Sequence, residues 1–158
     1  MGAESPAAST RASTIVKARP EQVYEAFMDP AQLVGWLPPG TMTGKIHEFD
    51  GRVGGGYGMS LFYPDTERAM HGKTAAHEDR VSVRFVALEP PRRILEAVTF
   101  RTTDPSLMGE LMLEVMLEEV PDGTKVSIVC TNLPPGLRPE DNEAGSRESL
   151  EKLAARFA

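Results

Sequence analysis

The sequence has 158 residues with 41% hydrophobic side chains, which suits a single domain that buries about two-thirds of its unfolded surface. Its net charge of −6 argues against a nucleic-acid surface, because phosphate contacts need clustered lysine and arginine. The one cysteine, Cys130, excludes an internal disulfide, and no apolar run is long enough to span a membrane, so we expect a cytoplasmic protein.

The N-terminal part of the chain predicts a strand followed by two short helices. Residues 1–9 are small and polar and are expected to be disordered, so the domain is predicted to span 10–158. Alternating residues predict a first strand that ends near position 18. Pro20 and Glu21 suit the first turn of a helix, and Asp29-Pro30 ends that helix and caps a second one through 31–36.

The rest of the chain predicts a run of strands and a closing helix. The strand-like segments are 41–49, 56–63, 68–76, 80–89, 92–101, 107–119 and 124–132, of which the two between 68 and 89 could also form one bent strand. The pair Asp122-Gly123 between two alternating runs predicts a tight hairpin. Prolines interrupt the chain after position 133, and a helix is predicted from about 139 to the end.

The alternation within the strands predicts a sheet with one covered face. Leu111, Leu113 and Val115 share one face of their strand, and Glu110 and Glu114 share the other. Helical spacing of apolar residues indicates that the last helix is the cover, through Leu150, Leu153, Ala154 and Phe157. This order of elements predicts an α+β fold, in which a curved antiparallel sheet wraps around a long C-terminal helix.

The glycine-rich stretch "DGRVGGGYGM" at 50–59 does not fit a nucleotide-binding loop. A phosphate loop ending at Gly72-Lys73 needs a glycine at position 67, which is Glu67. The dinucleotide pattern from Gly54 needs its third glycine at Met59, and a strand-like run follows where that motif requires a helix. We therefore predict a tight connection before a strand.

Five stretches, in this order, resemble one known family. They are "RPEQVYEAFMDPAQLVGWLPP" (19–39), "FDGRVGGGYGM" (49–59), "RFVALEPPRRI" (84–94), "EEVPDGTKVSI" (118–128) and "NLPPGLRPEDNEAGSRESLEKLA" (132–154). The chain resembles the START-like (helix-grip, or SRPBCC) superfamily. Within it, the chain is similar to proteins related to the C-terminal domain of the activator of the Hsp90 ATPase. The resemblance covers residues 10 to 157 and implies the helix-grip fold.

The resemblance implies three kinds of function. Various branches enclose hydrophobic molecules such as lipids and sterols, a few branches are enzymes such as polyketide cyclases, and the Hsp90-activator branch contributes a protein-interaction surface. Many relatives carry tryptophan after the glycine of the last helix, where this chain has Gly145-Ser146, so either a larger cavity or a change in its contents is expected. The additional N-terminal domain of the co-chaperone is absent from this sequence, which argues against chaperone activation.

No catalytic or metal-binding set is evident in the sequence. His47, His71 and His77 lack chelating spacing, and no cofactor is predicted. Cys130 lies among core positions without cationic neighbours, where thiols are usually inert. The absence of a G-x-S-x-G elbow leaves a serine hydrolase of that type unsupported.

The predicted site is therefore a pocket for a small hydrophobic ligand between the sheet and the C-terminal helix. Its predicted lining comprises Trp36, Met59, Leu61, Phe85, Phe100, Leu113, Val115, Ile128, Leu150 and Phe157, which would equally fill an ordinary core. Tyr57, Tyr63 and Arg84 are candidate polar anchors. A cyclase-like enzyme, which would require a titratable group in the cavity, and a protein-interaction module are the alternatives, and a homodimer remains open.

Overall fold

The computed structural model describes residues 8–64 and 78–158. The elements are β1 (Thr10–Val16), α1 (Pro20–Met28), α2 (Pro30–Trp36), β2 (Thr43–His47), β3 (Gly56–Phe62), β4 (Glu78–Glu89), β5 (Arg93–Phe100), a 3-10 turn (Pro105–Leu107), β6 (Glu110–Val120), β7 (Gly123–Thr131) and α3 (Pro139–Arg156). The predicted α+β helix-grip fold is confirmed.

The seven strands form one curled antiparallel sheet in the order β1-β7-β6-β5-β4-β3-β2. The predicted hairpin is present, because β6 ends at Val120 and pairs across the turn with Gly123 of β7. β1 pairs with β7 through the register Thr10 with Cys130 and Val16 with Thr124, so the first strand closes one edge next to the last. β2 forms the other edge.

Prolines and side-chain hydrogen bonds at their first turns determine where the two short helices begin. Pro20 occupies the first turn of α1, where its missing N–H costs nothing, and the Gln22 side chain accepts a hydrogen bond from the backbone N–H of Arg19. The Asp29 carboxylate accepts a hydrogen bond from the backbone N–H of Ala31 at 3.0 Å, which caps α2. The two helices therefore follow each other with no intervening loop.

α3 packs along β1 and against α2, and polar contacts fix its position. Ser149 donates a hydrogen bond from its hydroxyl to the Leu37 carbonyl, and Lys152 donates from its ammonium to the Pro38 carbonyl, both at 2.5 Å. Leu150 and Leu153 are buried in the core beside these contacts. The end of α2 and the segment after it are thus held to the C-terminal helix.

The glycine-rich stretch is a connection into a strand, as predicted. It bends through a turn in which Gly54 has a φ of +88°, a conformation that favours glycine, and β3 then starts at Gly56. A Cβ atom on Gly56 would lie 1.9 Å from the Val83 carbonyl oxygen, so only glycine permits β3 to pair with β4 at this point.

Some expectations fall outside the described residues. These are the strand predicted at 68–76, His71, His77 and residues 1–7 of the predicted disordered segment. The division of the chain into a disordered head and a domain from 10 to 158 stays a prediction. Among the residues that the structure does describe, no helix is long and apolar enough to cross a membrane.

Candidate functional site

A cavity of about 160 Å³ lies between the inner face of the sheet and the two short helices. The helices contribute Phe27 and Leu33, and the segment after α2 contributes Leu37. Five neighbouring strands contribute Tyr57, Met59, Leu61, Val81, Val83, Glu96, Val98, Leu113 and Ile128. An apolar cavity of this size accommodates a molecule about as large as benzene.

The cover of this cavity differs from the sequence prediction. We expected the cavity between the sheet and the C-terminal helix, but no residue of α3 lines it. The reason is that α3 packs on β1 and α2, whereas α1 packs on β6 and β7 and α2 on β2, and the cavity lies beside these two short helices. Ser146, from which we expected an effect on the cavity, lies near Cys130 and Asn142 and does not line the cavity.

Four of the ten predicted pocket residues line the cavity, namely Met59, Leu61, Leu113 and Ile128. The other six belong to the surrounding hydrophobic core: Trp36, Phe85, Val115 and Leu150 are buried, and Phe100 and Phe157 are partly buried against it. The structure thus brings the predicted residues into one core and places the cavity at one part of it.

Trp36 does not line the cavity but packs behind one of the residues that do. Its ring meets Phe27 edge to face with 4.7 Å between the ring centroids, and Phe27 lines the cavity. The indole N–H donates a hydrogen bond to the Ala26 carbonyl at 3.0 Å, which fixes the ring. Trp36 is only 1% exposed, so it acts through the position of Phe27.

Of the three candidate polar anchors, only Tyr57 lines the cavity. Tyr63 donates a hydrogen bond from its hydroxyl to the Asp79 carboxylate at 2.9 Å. Arg84 points to the other face of the sheet, where its guanidinium forms an ion pair with Glu110 at 3.2 Å and is half exposed. A wider open depression of about 820 Å³ includes Arg84 and Tyr57.

Glu96 is the cavity residue that the sequence reasoning missed. It pairs with Phe85 on one side and with Leu113 on the other, so its side chain lies on the inner face of the sheet. It is 8% exposed and lines the cavity, and none of the described residues forms a hydrogen bond with its carboxyl group. Burial raises the pKa of Glu96 to about 8, because the apolar surroundings disfavour the charged form.

Two further titratable groups lie close enough to Glu96 to respond to its charge. Burial, and then the Glu96 charge, raise the pKa of the Tyr57 phenol well above its usual value. Burial is also the main cause that raises the pKa of the Cys130 thiol, which is 1% exposed. A raised pKa keeps Cys130 in its unreactive thiol form, so it is not a candidate nucleophile.

The histidine that the structure describes does not form a site. His47 ends β2, and its Nε2 atom lies 3.0 Å from the Ser60 hydroxyl oxygen. Within residues 8–64 and 78–158, no group of three or more histidine, cysteine or carboxylate side chains could hold a metal ion. The cavity with its single carboxyl group is therefore the candidate site that we consider further.

Comparison with known sequences identifies the family. The family model described as "Activator of Hsp90 ATPase homolog 1-like protein" matches residues 17–158, which confirms the resemblance seen in the five sequence stretches. Among curated protein sequences, none matches the chain.

Several solved structures share the fold. Protein CV1439 from Chromobacterium violaceum is 32% identical with a TM-score of 0.80, over 94% of this chain and 96% of that one. An AHSA1-like protein from Aeromonas hydrophila is 15% identical with a TM-score of 0.70, over 94% and 90% of the two chains. DynU16, a protein of the dynemicin biosynthetic locus, is 19% identical with a TM-score of 0.66, and the match covers 93% of this chain but 46% of DynU16.

Proposed function

The chain belongs to the family of activator of Hsp90 ATPase homolog 1-like proteins, and we propose that it binds a small, mainly apolar molecule in the cavity beneath α1 and α2. The observation that carries this proposal is the cavity itself, whose lining residues are apolar except for Glu96 and Tyr57. Close packing normally leaves few voids larger than a water molecule inside a domain. A void of about 160 Å³ on the concave side of the sheet is therefore a candidate ligand site.

The size of the cavity limits both the ligand and its affinity. A volume of about 160 Å³ lies below the roughly 300 Å³ at which pockets for drug-sized ligands begin. A benzene-sized molecule would gain about 3 kcal/mol from removing roughly 100 Å² of apolar surface from water. We therefore expect dissociation constants in the millimolar range for such probes. A larger natural ligand would enter only if α1 or α2 moved outwards.

A direct test titrates the protein with toluene and follows backbone amide shifts by NMR. The Leu113→Trp variant fills the cavity from β6 and should lose toluene binding. Met112→Trp is the matched control, because Met112 is the adjacent residue on the same strand and faces the opposite side of the sheet. Toluene binding that survives in a folded Leu113→Trp variant would contradict the proposed site.

A cyclase-like enzyme remains the second candidate, and one observation favours it. That class requires a titratable group in the cavity, and Glu96 is such a group. Native mass spectrometry of the protein from its own host would detect a bound molecule that denaturation releases. A carrier should return that molecule unchanged after long incubation, whereas an enzyme should convert it and Glu96→Gln should stop the conversion.

Three further predictions stay untested and carry no proposal of mechanism. They concern the cytoplasmic location that we expect, a homodimer through a sheet edge or α3, which the sequence leaves open, and a chaperone partner of the kind that the family description names, against which the sequence analysis argues. The arrangement of residues around Glu96 bears on none of them, so they require separate experiments on localisation, mass in solution and partner capture.

A further inference from the structure

Glu96 is a buried acid that the protein itself leaves unpaired. Buried polar groups usually find a hydrogen-bond partner, because an unmade bond in an apolar environment costs stability. No described residue bonds to the Glu96 carboxyl, although the residue is only 8% exposed. Because no fully buried side-chain oxygen of the described residues lacks a partner, the carboxyl oxygens are accessible from the cavity. Its neighbours across the strands, Phe85 and Leu113, are apolar. The carboxyl group therefore has bonding capacity that only a molecule in the cavity can use.

Tyr57 presents a second polar group to the same cavity. Its ring is held by Phe49, stacked with 5.4 Å between centroids, and by Phe85, with 5.9 Å between centroids. The residue is 6% exposed, and no described residue forms a hydrogen bond with its hydroxyl. Because aromatic packing fixes the ring of this lining residue, Tyr57 loses little freedom when its hydroxyl bonds to a bound molecule.

We infer that Glu96 and Tyr57 form a polar anchor pair, and that the cavity selects neutral molecules carrying a carbonyl or similar hydrogen-bond acceptor on an apolar body. This inference rests on the proposed function, since it names the ligand class of the same cavity. Both anchors can donate an O–H hydrogen bond when neutral, which matches the lone pairs of a ketone, ester or amide oxygen.

Charged molecules fit this cavity less well. An anionic carboxylate would lose its hydration among apolar side chains without a cation to compensate, because no lysine or arginine lines the cavity within the described residues. An ammonium group would require Glu96 to ionise, and burying an ion pair costs the hydration of both partners. Its three N–H donors would also find few acceptors, since the remaining lining residues are apolar apart from Tyr57.

The protonation states of Glu96 and of the two titratable groups that face it agree with the selection of a neutral hydrogen-bond acceptor. Burial holds the pKa of Glu96 at about 8, so the carboxyl is mostly neutral at pH 7 and donates. The Tyr57 phenol and the Cys130 thiol, which face Glu96 from β3 and β7, both have raised pKa values and are neutral as well. Binding of a neutral acceptor should therefore weaken as Glu96 ionises, by about tenfold between pH 7 and pH 9.

The test uses a matched pair of probes with nearly equal shape. Cyclohexanone carries the carbonyl oxygen, and methylenecyclohexane replaces that oxygen with a methylene group. Dissociation constants of both are measured by NMR titration at pH 6.5 and pH 9, together with those of cyclohexylammonium and cyclohexanecarboxylate. We expect cyclohexanone to bind wild type about tenfold more tightly than methylenecyclohexane at pH 6.5, with a tenfold loss at pH 9 for cyclohexanone only.

Two variants separate the anchor from the cavity. Glu96→Leu should bring the affinities of cyclohexanone and methylenecyclohexane close together. Glu96→Gln keeps a donor of the same size without an ionisable group, so it should retain the preference for cyclohexanone and lose its dependence on pH. Equal affinities of the two neutral probes for wild type would overturn the inference while leaving the proposed function intact.

The remaining outcomes are also decisive. Preferential binding of cyclohexylammonium or cyclohexanecarboxylate would overturn the selection of neutral molecules and assign Glu96 a different role. If neither neutral probe binds, the proposed function fails together with the inference. The failure of one proposal is thus distinguishable from the failure of both.

Discussion

The unpaired Glu96 carboxyl makes a quantitative prediction about stability that needs no knowledge of the ligand. Burial raises its pKa from 4.5 to about 8 in the folded protein, whereas the unfolded chain exposes the group to water. Between these two pKa values the folded protein holds a proton that the unfolded chain releases. The free energy of unfolding must therefore fall as the pH rises from about 4.5 to about 8.

The size of the effect follows from the two pKa values. Burying this carboxyl costs about 1 kcal/mol at pH 5, about 3 kcal/mol at pH 7 and about 4 kcal/mol at pH 8, relative to acid conditions in which it is protonated in both states. Glu96→Gln keeps the shape and removes the titration. The free energy of unfolding of Glu96→Gln, relative to wild type, should therefore increase by about 3 kcal/mol from pH 5 to pH 8.

The assay is urea denaturation of wild type and Glu96→Gln at pH 5, 6.5 and 8, followed by tryptophan fluorescence. Trp36 is the one tryptophan in the sequence and is 1% exposed, so its emission reports the loss of the core around the cavity. The difference between the two proteins at each pH cancels the titration of distant groups. A difference that stays constant from pH 5 to pH 8 would refute the raised pKa of Glu96 and its burial among apolar side chains.

Two further variants test the local structure. Gly56→Ala should lower the free energy of unfolding by about 3 kcal/mol or more in urea denaturation, because the new Cβ would lie 1.9 Å from the Val83 carbonyl oxygen. Gly58→Ala is the control: the nearest atom to its Cβ would be 3.7 Å away, so the free energy of unfolding should change by less than about 1 kcal/mol. Similar costs for the two variants would contradict the assigned pairing of β3 with β4. Trp36→Phe removes the hydrogen bond to the Ala26 carbonyl and should cost about 2 kcal/mol in thermal denaturation followed by circular dichroism; an unchanged midpoint would contradict that bond.

The sequence predicted the fold well because its alternation and turn residues agree with one another. Leu111 and Val115 alternate with glutamates along β6, and the two-residue turn Pro121-Asp122, which the predicted hairpin contains, fixes how that strand pairs with β7. Their predicted faces are confirmed by burial, since both leucine and valine are at most 3% exposed. Local pattern and tertiary structure coincide wherever one face of a strand is clearly polar.

β5 lacks such a pattern, and this is why Glu96 was missed. Both faces of β5 carry apolar residues, so the alternation does not identify the inner face. Leu95 and Ala97 lie on one face, and Ile94 and Val98 lie on the other. A register shift between Phe85 and Ala87 adds to the ambiguity in the neighbouring strand. One signal was nevertheless available: Phe100 was predicted to face the pocket, and a residue four positions earlier on a regular strand shares its face.

The position of the cavity could not be read from helical spacing. The spacing of Leu150 and Leu153 indicates that α3 has a buried face, and both residues are indeed buried. It does not say which strands or helices that face meets. Contacts with the backbone carbonyls of Leu37 and Pro38 decide this, and they involve residues more than a hundred positions earlier in the chain.

The free-energy cost of burying the Glu96 carboxyl is itself an argument that this group has a role in ligand binding. A leucine at this position would fill part of the cavity and avoid a penalty of about 3 kcal/mol at pH 7, which is a large fraction of the 5–15 kcal/mol that stabilises a typical domain. Residues that lower the stability of a protein in this way are expected at functional sites, where the function requires them. A neutral acceptor that pairs with Glu96 offsets part of the penalty on binding, because it stabilises the protonated form. A ligand with a hydrogen-bond acceptor should therefore raise both the free energy of unfolding and the pKa of Glu96. A hydrocarbon of the same shape cannot accept a hydrogen bond from the Glu96 carboxyl and should not raise its pKa in this way.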